Sequence, residues 1–298
     1  MRGPHNIWRL IRTGATFERT GAMQIILDKL DLPPLLKFTI RFIGKPFKLL
    51  GLKGDIQFPP IVRALTALGP AYIKFGQILS TRPDVVGAEL AKQLSVLQES
   101  LPPFSKNLAI SEIERDLEIS VDDVFESISE PVAAASIAQV HKAILKSTGQ
   151  TVAIKVLRPG IEKAFRKDID AFYLAANIIE ILSSKSRRLR PIEVIEHFDS
   201  VVQGELDLRL EASAASEFSA NTKGDALVCI PNIHWETSGR RVMTLDWVDG
   251  IPLADLEALK NSKTDMEELS THILSMFLRH ALRDGFYVSR KFKVKFER

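Results

Sequence analysis

The chain has 298 residues, of which 45% are hydrophobic and 26% charged, so its composition excludes an intrinsically disordered protein. Its single cysteine, Cys229, excludes a disulfide framework within the chain. The apolar run around it predicts a small buried side chain in a reducing compartment. The net charge of +3 is uneven: residues 1–53 hold ten Lys or Arg against three acids, residues 287–298 hold five against one, and residues 54–286 are therefore −8.

Residues 1–53 form a basic arm in which apolar residues alternate with Lys and Arg. This pattern suits an anionic membrane surface, and the alternative is a helix pair packed on the protein with its charges in water. No nucleic-acid-binding motif accompanies the charge, so no nucleic acid is expected as a partner. No stretch reaches the ~18 apolar residues of a spanning helix, and no secretory signal is visible. We expect a cytoplasmic protein, or one peripheral at the inner face of a membrane.

Residues 54–130 are predicted to be a helical extension. One helix, over Leu65–Ser80, contains Lys74, Gly76 and Gln77. Lys74 and Gln77 are three residues apart and share a helix face, and a side chain at position 76 would crowd whatever docks there. A lysine on a helix is otherwise usually a solvated charge. The next predicted helix carries one apolar stripe, made by Leu90, Leu94, Leu97 and Leu101.

The sequence changes character at Pro131, where small residues lead into two segments with the pattern of β-strands. The segment up to Leu145 and the segment Thr151–Leu157 flank a turn at 147–150, which predicts a hairpin. The elements predicted after it are helices over Ile161–Leu182 and Pro191–Ala220, strands over Leu227–Trp235 and Arg241–Trp247, and a helix over Met266–Asp284 with Leu269, Ile273, Met276, Phe277 and His280 on one face. This order indicates an α+β fold.

The second strand of the hairpin reads Val-Ala-Ile-Lys and ends at Lys155. On a strand this motif is typical of protein-kinase folds, in which the lysine binds the α- and β-phosphates of ATP. The other elements fit that order, with a strand–loop–strand before Lys155, a helix containing Glu211 after it, and a hinge near Asp246 and Val248. The alternative is an exposed strand lysine in an unrelated α+β fold.

The loop that would cover the phosphates is unusual, because kinases use Gly-x-Gly-x-x-Gly there. The corresponding residues of this chain are Val132, Ala133, Ala134, Ala135, Ser136, Ile137, Ala138, Gln139 and Val140. Alanine is small enough to approach a phosphate, but its Cβ disfavours the positive φ that glycine allows. We therefore expect a stiffer loop and an altered nucleotide position.

Four motifs occur in order: Lys-Phe-Gly-Gln at 74–77, the alanine-rich loop ending Ser-Ile-Ala-Gln-Val-His, Val-Ala-Ile-Lys-Val-Leu-Arg-Pro-Gly at 152–160, and Glu-Leu-Asp-Leu-Arg-Leu-Glu-Ala at 205–212. Over roughly residues 1–286 the chain resembles the UbiB family of atypical protein-kinase-like proteins, which are linked to ubiquinone biosynthesis. The resemblance implies ATP as cofactor, with Mg²⁺ in a full-length member. It implies ubiquinone-biosynthesis proteins or an anionic membrane surface as partners.

The resemblance also assigns a nucleotide site. Lys155 would bind the phosphates of ATP, with Glu211 as its ion-pair partner. The alanine-rich loop, residues 132–140, would cover the phosphates, and Asp246 and Val248 would belong to the hinge beside the nucleotide.

A family-specific lid over the nucleotide cleft is implied for the Lys-Phe-Gly-Gln helix. Lys74, Gly76 and Gln77 would belong to this lid, and Glu205 and Asp207 would face it. In a regular helix the side chains of Glu205 and Asp207 point about 200° apart. Either the helix is irregular there, or only one of the two acids reaches Lys74.

Phosphoryl transfer also needs a catalytic Asp followed by a metal-binding Asn, and a second metal-binding Asp in Asp-Phe-Gly. The family places these after the last helix, but no Asp follows Asp284 and no Asn follows Asn261. His280 and Asp284 are four residues apart on a helix and do not form such a loop. The tail at 287–298 predicts one edge strand and supplies no metal ligand. We expect no catalytic or metal-binding residue in this chain and a family member truncated just after Phe286.

The predicted organisation is a basic helical arm (1–53), a helical extension (54–130), a kinase-like N-lobe (131–250), the start of a C-lobe (251–286) and an aberrant tail (287–298). The predicted function is that of a UbiB-type ATP-binding protein supporting ubiquinone biosynthesis, with ATP hydrolysis or phosphoryl transfer in a full-length member. The alternative is an inactive remnant that acts at most as a nucleotide-binding or membrane-surface module. No flavin fingerprint or metal-oxygenase triad is visible, which disfavours a hydroxylase.

Overall fold

A computed structural model describes residues 5–29, 34–98, 102–182, 186–225, 228–253, 255–262, 265–285 and 293–294. The chain divides into two compact units. The first unit comprises Met1–Ala109, Ala133–Gln139 and Leu157–Leu206, and the second comprises Ile110–Val132, Val140–Val156 and Asp207–Arg298. Each unit is therefore assembled from segments that are far apart in the sequence.

Helices dominate the chain, with strands concentrated between residues 125 and 157. The described α-helices are α1 (His5–Thr20), α2 (Ala22–Lys29), α3 (Pro34–Phe47), α4 (Pro60–Leu68), α5 (Pro70–Ser80), α6 (Pro83–Val86), α7 (Ala88–Leu94), α8 (Lys106–Leu117), α9 (Val121–Val124), α10 (Ile161–Leu182), α11 (Pro191–Glu205), α12 (Leu208–Asn221), α13 (Leu256–Asn261) and α14 (Met266–Arg279). The strands are β1 (Phe125–Ala134), β2 (Ala138–Leu145), β3 (Thr151–Leu157), β4 (Val242–Asp246), β5 (Ile251–Pro252) and β6 (Lys293–Val294). A 3₁₀ turn follows α7 at Ser95–Gln98, and a π-helical turn follows α14 at His280–Asp284.

The first unit contains the Lys-Phe-Gly-Gln helix, α5. Both α4 and α5 begin with a proline, whose fixed φ and missing N–H suit the first helical position. Gly69 between them has a φ of 113°, a conformation that favours glycine. The sequence therefore sets the corner that directs α5 away from α4.

An aromatic cluster packs α5 against α10 and α11 in the first unit. Tyr72 and Phe172 meet edge to face with ring centroids 4.7 Å apart, and Phe75 and Phe198 do so at 5.3 Å. Phe172 also lies 5.8 Å from Phe198, which closes the cluster. Such pairs stabilise a protein beyond the burial of their surface, by about 0.5–1.5 kcal/mol each. This packing fixes the helix that carries Lys74.

The second unit contains a four-stranded sheet with the order β1-β2-β3-β4. β3 and β4 are antiparallel, and Lys155 lies opposite Met243. The side chains of Val152, Ile154 and Val156 are completely buried, so the strand's alternation places its apolar residues in the core. β1 is an edge strand, where the missing N–H of a proline is tolerated.

Four sequence predictions about secondary structure are wrong or incomplete. The helix predicted over Leu65–Ser80 is two helices, because α4 ends at Leu68 and α5 begins at Pro70. Strand structure begins at Phe125 rather than after Pro131, and Phe125 is buried. The segment 228–235 forms no named strand, since its β-structure is a single bridge between Ile233 and Leu245. The helix predicted over 191–220 is two helices, because α11 ends at Glu205 and α12 begins at Leu208.

Side-chain burial corrects one further prediction. Cys229 is exposed and does not lie in a core. The edge strand predicted in the tail is confirmed at residues 293–294, which pair with β5. Leu101 and Leu227 lie outside the described residues.

Candidate nucleotide-binding site

Lys155 and Glu211 form a two-pronged ion pair in the second unit. The Lys155 ammonium Nζ donates to both carboxylate oxygens of Glu211, at 2.7 and 2.5 Å. The Lys155 side chain is 23% exposed and that of Glu211 is 50% exposed. The structure therefore confirms the pairing that the sequence predicts. An ammonium group has three N–H donors, so one remains for a third acceptor such as a phosphate oxygen.

The position of Glu211 depends on how α12 begins. The Asp207 carboxylate accepts a hydrogen bond from the Arg209 backbone N–H at 3.2 Å and caps the helix. The Leu208 N–H donates to the Arg240 carbonyl at 2.8 Å, which ties the helix start to the segment before β4. Glu211 thus projects from the first turn of a helix that is fixed at its N-terminus.

Asp207 has a second partner, the guanidinium of Arg209. Arg209 Nε and Nη2 donate to the two carboxylate oxygens at 2.9 and 2.6 Å. These bonds hold the pKa of Asp207 below its usual range. The Asp207 carboxylate is therefore a helix cap and the partner of Arg209, and its predicted role facing the lid stays a prediction.

Lys74 and Glu205 form a second lysine–glutamate pair, in the first unit. Lys74 Nζ lies 2.5 Å from Glu205 Oε1, and the side chains are 17% and 35% exposed. Glu205 is the last residue of α11, and Leu206 has left the helix. The helix is irregular at this point, as the first of the two alternatives states, and Glu205 is an acid that reaches Lys74.

Gln77 and Gly76 connect α5 to its surroundings in the first unit. Gln77 Nε2 donates to the Leu97 carbonyl at 2.7 Å, and Gln77 Oε1 accepts a longer bond from Ser136 Oγ at 3.4 Å. A Cβ on Gly76 would come within 2.4 Å of Leu97 Cδ1 and 2.8 Å of Leu65 Cδ1. The glycine therefore permits close packing of α5, as the sequence predicts.

The alanine-rich loop turns tightly between β1 and β2. The Ala135 N–H donates to the Ala138 carbonyl at 2.7 Å. Ser136, Ile137, Ala138 and Gln139 are buried, whereas Val132, Ala133 and Ala135 are exposed, and Ala134 and Val140 lie between these extremes. Val132 and Val140 belong to the second unit and the residues between them to the first. Only part of the predicted phosphate-binding run is therefore open to a ligand.

Asp246, at the predicted hinge, is occupied by structural hydrogen bonds. Its carboxylate accepts from Gln150 Nε2 at 2.5 Å and Asn232 Nδ2 at 2.7 Å, and pairs with His234 Nε2 at 2.8 Å. Burial raises the pKa of Asp246, but the bonds from His234 and Asn232 outweigh it, so the pKa is lowered. Val248 is half-buried just beyond β4. The Asp246 side chain holds the segment at 232–234, and its predicted place beside the nucleotide stays a prediction.

The residues around His280 form a network of hydrogen bonds at the end of the last helix. His280 Nδ1 lies 2.9 Å from Asp284 Oδ2 within the π-helical turn. Arg283 binds both Asp284 and Asp225. The bonds from Arg283 and His280 lower the pKa of Asp284 to about 2. The described residues contain no group of three or more His, Cys, Asp or Glu that could hold a metal ion.

One residue that the sequence reasoning missed, Arg158, fixes the alanine-rich loop together with the side chain of Gln139. Arg158 Nη2 donates to the Ala135 carbonyl at 3.1 Å and to the Pro102 carbonyl at 2.9 Å. Gln139 binds the backbone N–H and carbonyl of Phe104 at 2.9 and 3.2 Å. The available signal was chemical, since Arg158 directly follows the lysine strand and Gln139 is a polar residue in an apolar run.

Comparisons with known proteins now bear on this site. Residues 96–289 match the ABC1 atypical kinase-like domain. A "Probable protein kinase UbiB" of Pseudomonas paraeruginosa is 40% identical over 94% of this chain and 52% of that protein. Its counterpart in Marinobacter nauticus is 38% identical over 94% of this chain and 50% of that protein. The chain belongs to the UbiB family of atypical kinase-like proteins.

The structural comparison agrees with this assignment. The solved structure of Rv3197 with erythromycin from Mycobacterium tuberculosis matches with a TM-score of 0.50 and 26% identity, over 72% of this chain and 53% of that one. The α+β kinase-like fold of the UbiB family is thus confirmed. The chain spans about half the length of the curated UbiB relatives it matches.

Proposed function

We propose that this UbiB-family chain binds ATP, with Lys155 contacting the phosphates and Glu211 orienting Lys155. The observation that carries the proposal is the two-pronged Lys155–Glu211 pair between β3 and the first turn of α12. A lysine is a compact point charge on a flexible stem, and an ion pair restricts the positions its ammonium group can take. Glu211 therefore preorganises Lys155 for a phosphate oxygen.

The test is ATP affinity, measured by isothermal titration calorimetry. We expect Lys155→Ala to weaken ATP binding about tenfold or more, since a charge-assisted hydrogen bond contributes ~1.5–3 kcal/mol. Lys223→Ala removes an exposed lysine of the same unit and serves as the matched control, with unchanged affinity expected. Equal affinities of the Lys155→Ala and control chains would contradict the proposal.

Catalysis is a separate part of the proposal. By its family, a full-length member would carry out ATP hydrolysis or phosphoryl transfer with Mg²⁺, which neutralises charge on the phosphates. For this chain we propose nucleotide binding. Release of inorganic phosphate from ATP, abolished by Lys155→Ala, would instead establish turnover; binding without release would favour a nucleotide-binding module.

A role in ubiquinone biosynthesis is proposed from family membership. The measurement that tests it is the ubiquinone content of cells lacking the gene, with and without the wild-type chain and the Lys155→Ala variant. Restored content with the wild-type chain alone would support a role that depends on nucleotide binding.

A membrane-surface function is the second candidate, and one exposed helix face favours it. Leu35, Phe38 and Phe42 are 78%, 66% and 68% exposed along one face of α3. The rings of Phe38 and Phe42 stack with centroids 6.1 Å apart. Residues 32–54 contain five Lys or Arg and no acid, and the described Lys45 and Lys48 are exposed. An exposed apolar face with surrounding positive charge is complementary to an anionic lipid surface.

None of the described helices is long and apolar enough to cross a bilayer. The surface proposal is tested by co-sedimentation with vesicles of phosphatidylcholine with or without phosphatidylglycerol. We expect binding to the anionic vesicles, and about a tenfold or greater loss in Lys45→Gln/Lys48→Gln, because each lysine contributes ~1 kcal/mol near such a surface. Phe38→Ser/Phe42→Ser should also lose binding, whereas Leu274→Ser/Leu278→Ser, a matched exposed pair on α14, should not.

A further inference from the structure

The alanine-rich loop is held by one arginine of the first unit. The Arg158 backbone N–H donates to the Ile137 carbonyl at 2.8 Å. Its guanidinium Nε and Nη2 both donate to the Ala135 carbonyl, at 3.2 and 3.1 Å. A single residue therefore binds the loop on both sides of Ser136, from its main chain and from its side chain.

The same guanidinium anchors the loop to a neighbouring segment of that unit. Arg158 Nη2 donates to the Pro102 carbonyl at 2.9 Å, and the guanidinium carbon lies 5.6 Å from the centroid of the Phe104 ring. The Gln139 side chain, fully buried, binds the main chain of Phe104 at the end of the loop. The planar, multi-donor geometry of arginine suits this arrangement, and the single ammonium of lysine does not reproduce it.

Alanine alone does not explain a rigid loop. An alanine avoids the extra backbone freedom of glycine, yet its side chain offers no polar group to hold one conformation. The bonds to Ala135 and Ile137 come from outside the loop. The two bonds to Ala135 come from the charged guanidinium, and hydrogen bonds from a charged donor are about twice as strong as neutral ones. Burial lowers the pKa of Arg158, but a guanidinium keeps its charge at neutral pH.

We propose that Arg158 is the positioning residue of the alanine-rich loop, holding residues 133–139 in the conformation that receives the phosphates of a nucleotide. The statement that the loop receives phosphates rests on the proposed function. The statement that Arg158 fixes the loop does not. Arg158 acts through the main chain of Ala135 and Ile137, which separates its role from that of Lys155.

The first measurement is amide hydrogen exchange of peptides covering 133–139. We expect Arg158→Ala to speed exchange in this loop about tenfold or more, because two charge-assisted bonds to Ala135 are lost. Arg158→Lys should give an intermediate rate. Arg166→Ala, which removes an exposed arginine of α10 in the same unit, is the control and should leave the loop unchanged.

The second measurement is ligand affinity, compared between ATP and adenosine. We expect Arg158→Ala to weaken ATP by about fivefold to tenfold and to leave adenosine unchanged, since only a phosphate needs the ordered loop. A general loss of structure would instead accelerate exchange throughout α4 and α10 and weaken both ligands, which would overturn the proposal.

The outcomes separate this inference from the proposed function. Loop exchange in Arg158→Ala equal to that in Arg166→Ala would overturn the positioning role whatever the chain binds. Faster loop exchange in a chain whose wild type fails to bind ATP would support the fixing of the loop and count against the nucleotide proposal.

Discussion

Lys74 and Lys155 each bind a glutamate, but different surroundings hold the two pairs. Lys74 lies on a helix packed by the aromatic rings of Tyr72, Phe75, Phe172 and Phe198, and its pair with Glu205 uses one carboxylate oxygen. Lys155 lies on a sheet, and its pair with Glu211 uses both oxygens on a helix capped by a carboxylate. The Lys74 pair depends on apolar packing and the Lys155 pair on polar contacts. A change in apolar packing should therefore affect the first unit, and a change in pH or in polar contacts should affect the second unit.

Lowering the pH is expected to have the largest effect on stability, and to act on the second unit. Hydrogen bonds from Arg209, Arg283 and His234 hold carboxylate pKa values below their usual range at four positions of the second unit: Asp207, Asp225, Asp246 and Asp284. A carboxylate whose pKa is lower in the folded chain than in the unfolded chain stabilises the fold fully at a pH above its unfolded pKa, which is near 4. This stabilisation is lost as the pH falls toward 2.

The urea midpoint of the second unit should accordingly fall as the pH is lowered from about 4 toward 2. A Trp8→Phe background leaves fluorescence from Trp235 and Trp247, which both lie in that unit. Asp284→Asn should reduce the pH dependence, since its carboxylate has a pKa of about 2. A midpoint independent of pH over this range would contradict the polar description of the unit.

Gly76→Val should produce the next largest loss of stability, in the first unit. The new side chain would overlap Leu97 and Leu65, and overpacking costs about 1–3 kcal/mol of unfolding free energy. Chemical denaturation measures this loss. Gly44→Val is the control, because nothing lies within 4 Å of a Cβ at that helical glycine, and it should change stability by a few tenths of a kcal/mol. Equal losses in both variants would refute the packing argument.

Asp207→Ala should cost about 1 kcal/mol of unfolding free energy, because α12 loses its N-cap. Asp207→Asn keeps a capping oxygen and should cost less, which makes it the matched control. ATP affinity should fall with Asp207→Ala if the cap positions Glu211. Equal stability of the Ala and Asn variants would show that the cap contributes nothing.

The smallest expected effects are the coupling energies of the two ion pairs, measured by double-mutant cycles. We expect about 0.5–1 kcal/mol for Lys74→Met with Glu205→Gln and about 0.2–0.5 kcal/mol for Lys155→Met with Glu211→Gln. The second pair has two bonds, but Glu211 is half exposed and solvent screens it. A larger coupling for the Lys155 pair would show that bond number outweighs screening.

Local patterns predicted the parts of this molecule that repeat regularly. The pattern of β3 and the ordered motifs gave the kinase-like fold and the Lys155–Glu211 pair. Those patterns could not predict contacts between segments that are distant in the sequence. Arg158 reaches Pro102 across 56 residues, and no periodicity marks such a contact.

The break between α11 and α12 shows a second limit. In a regular helix the side chains of Glu205 and Asp207 would point in different directions. The helix is instead broken here, and the break depends on the cap that Asp207 makes. A helix end that one side chain creates is weakly encoded when its flanking residues, here Leu206 and Leu208, are good helix formers. The exposed Cys229 was missed for a related reason, because an apolar run does not state whether other residues cover it.

Cys229 also gives the molecule a practical property. It is the single cysteine and is exposed, so a thiol-reactive fluorophore would attach at one defined position of the unaltered chain. That position lies three residues before Asn232, which Asp246 binds at the start of the candidate hinge. A label there would follow the hinge segment during nucleotide titration without an engineered attachment site.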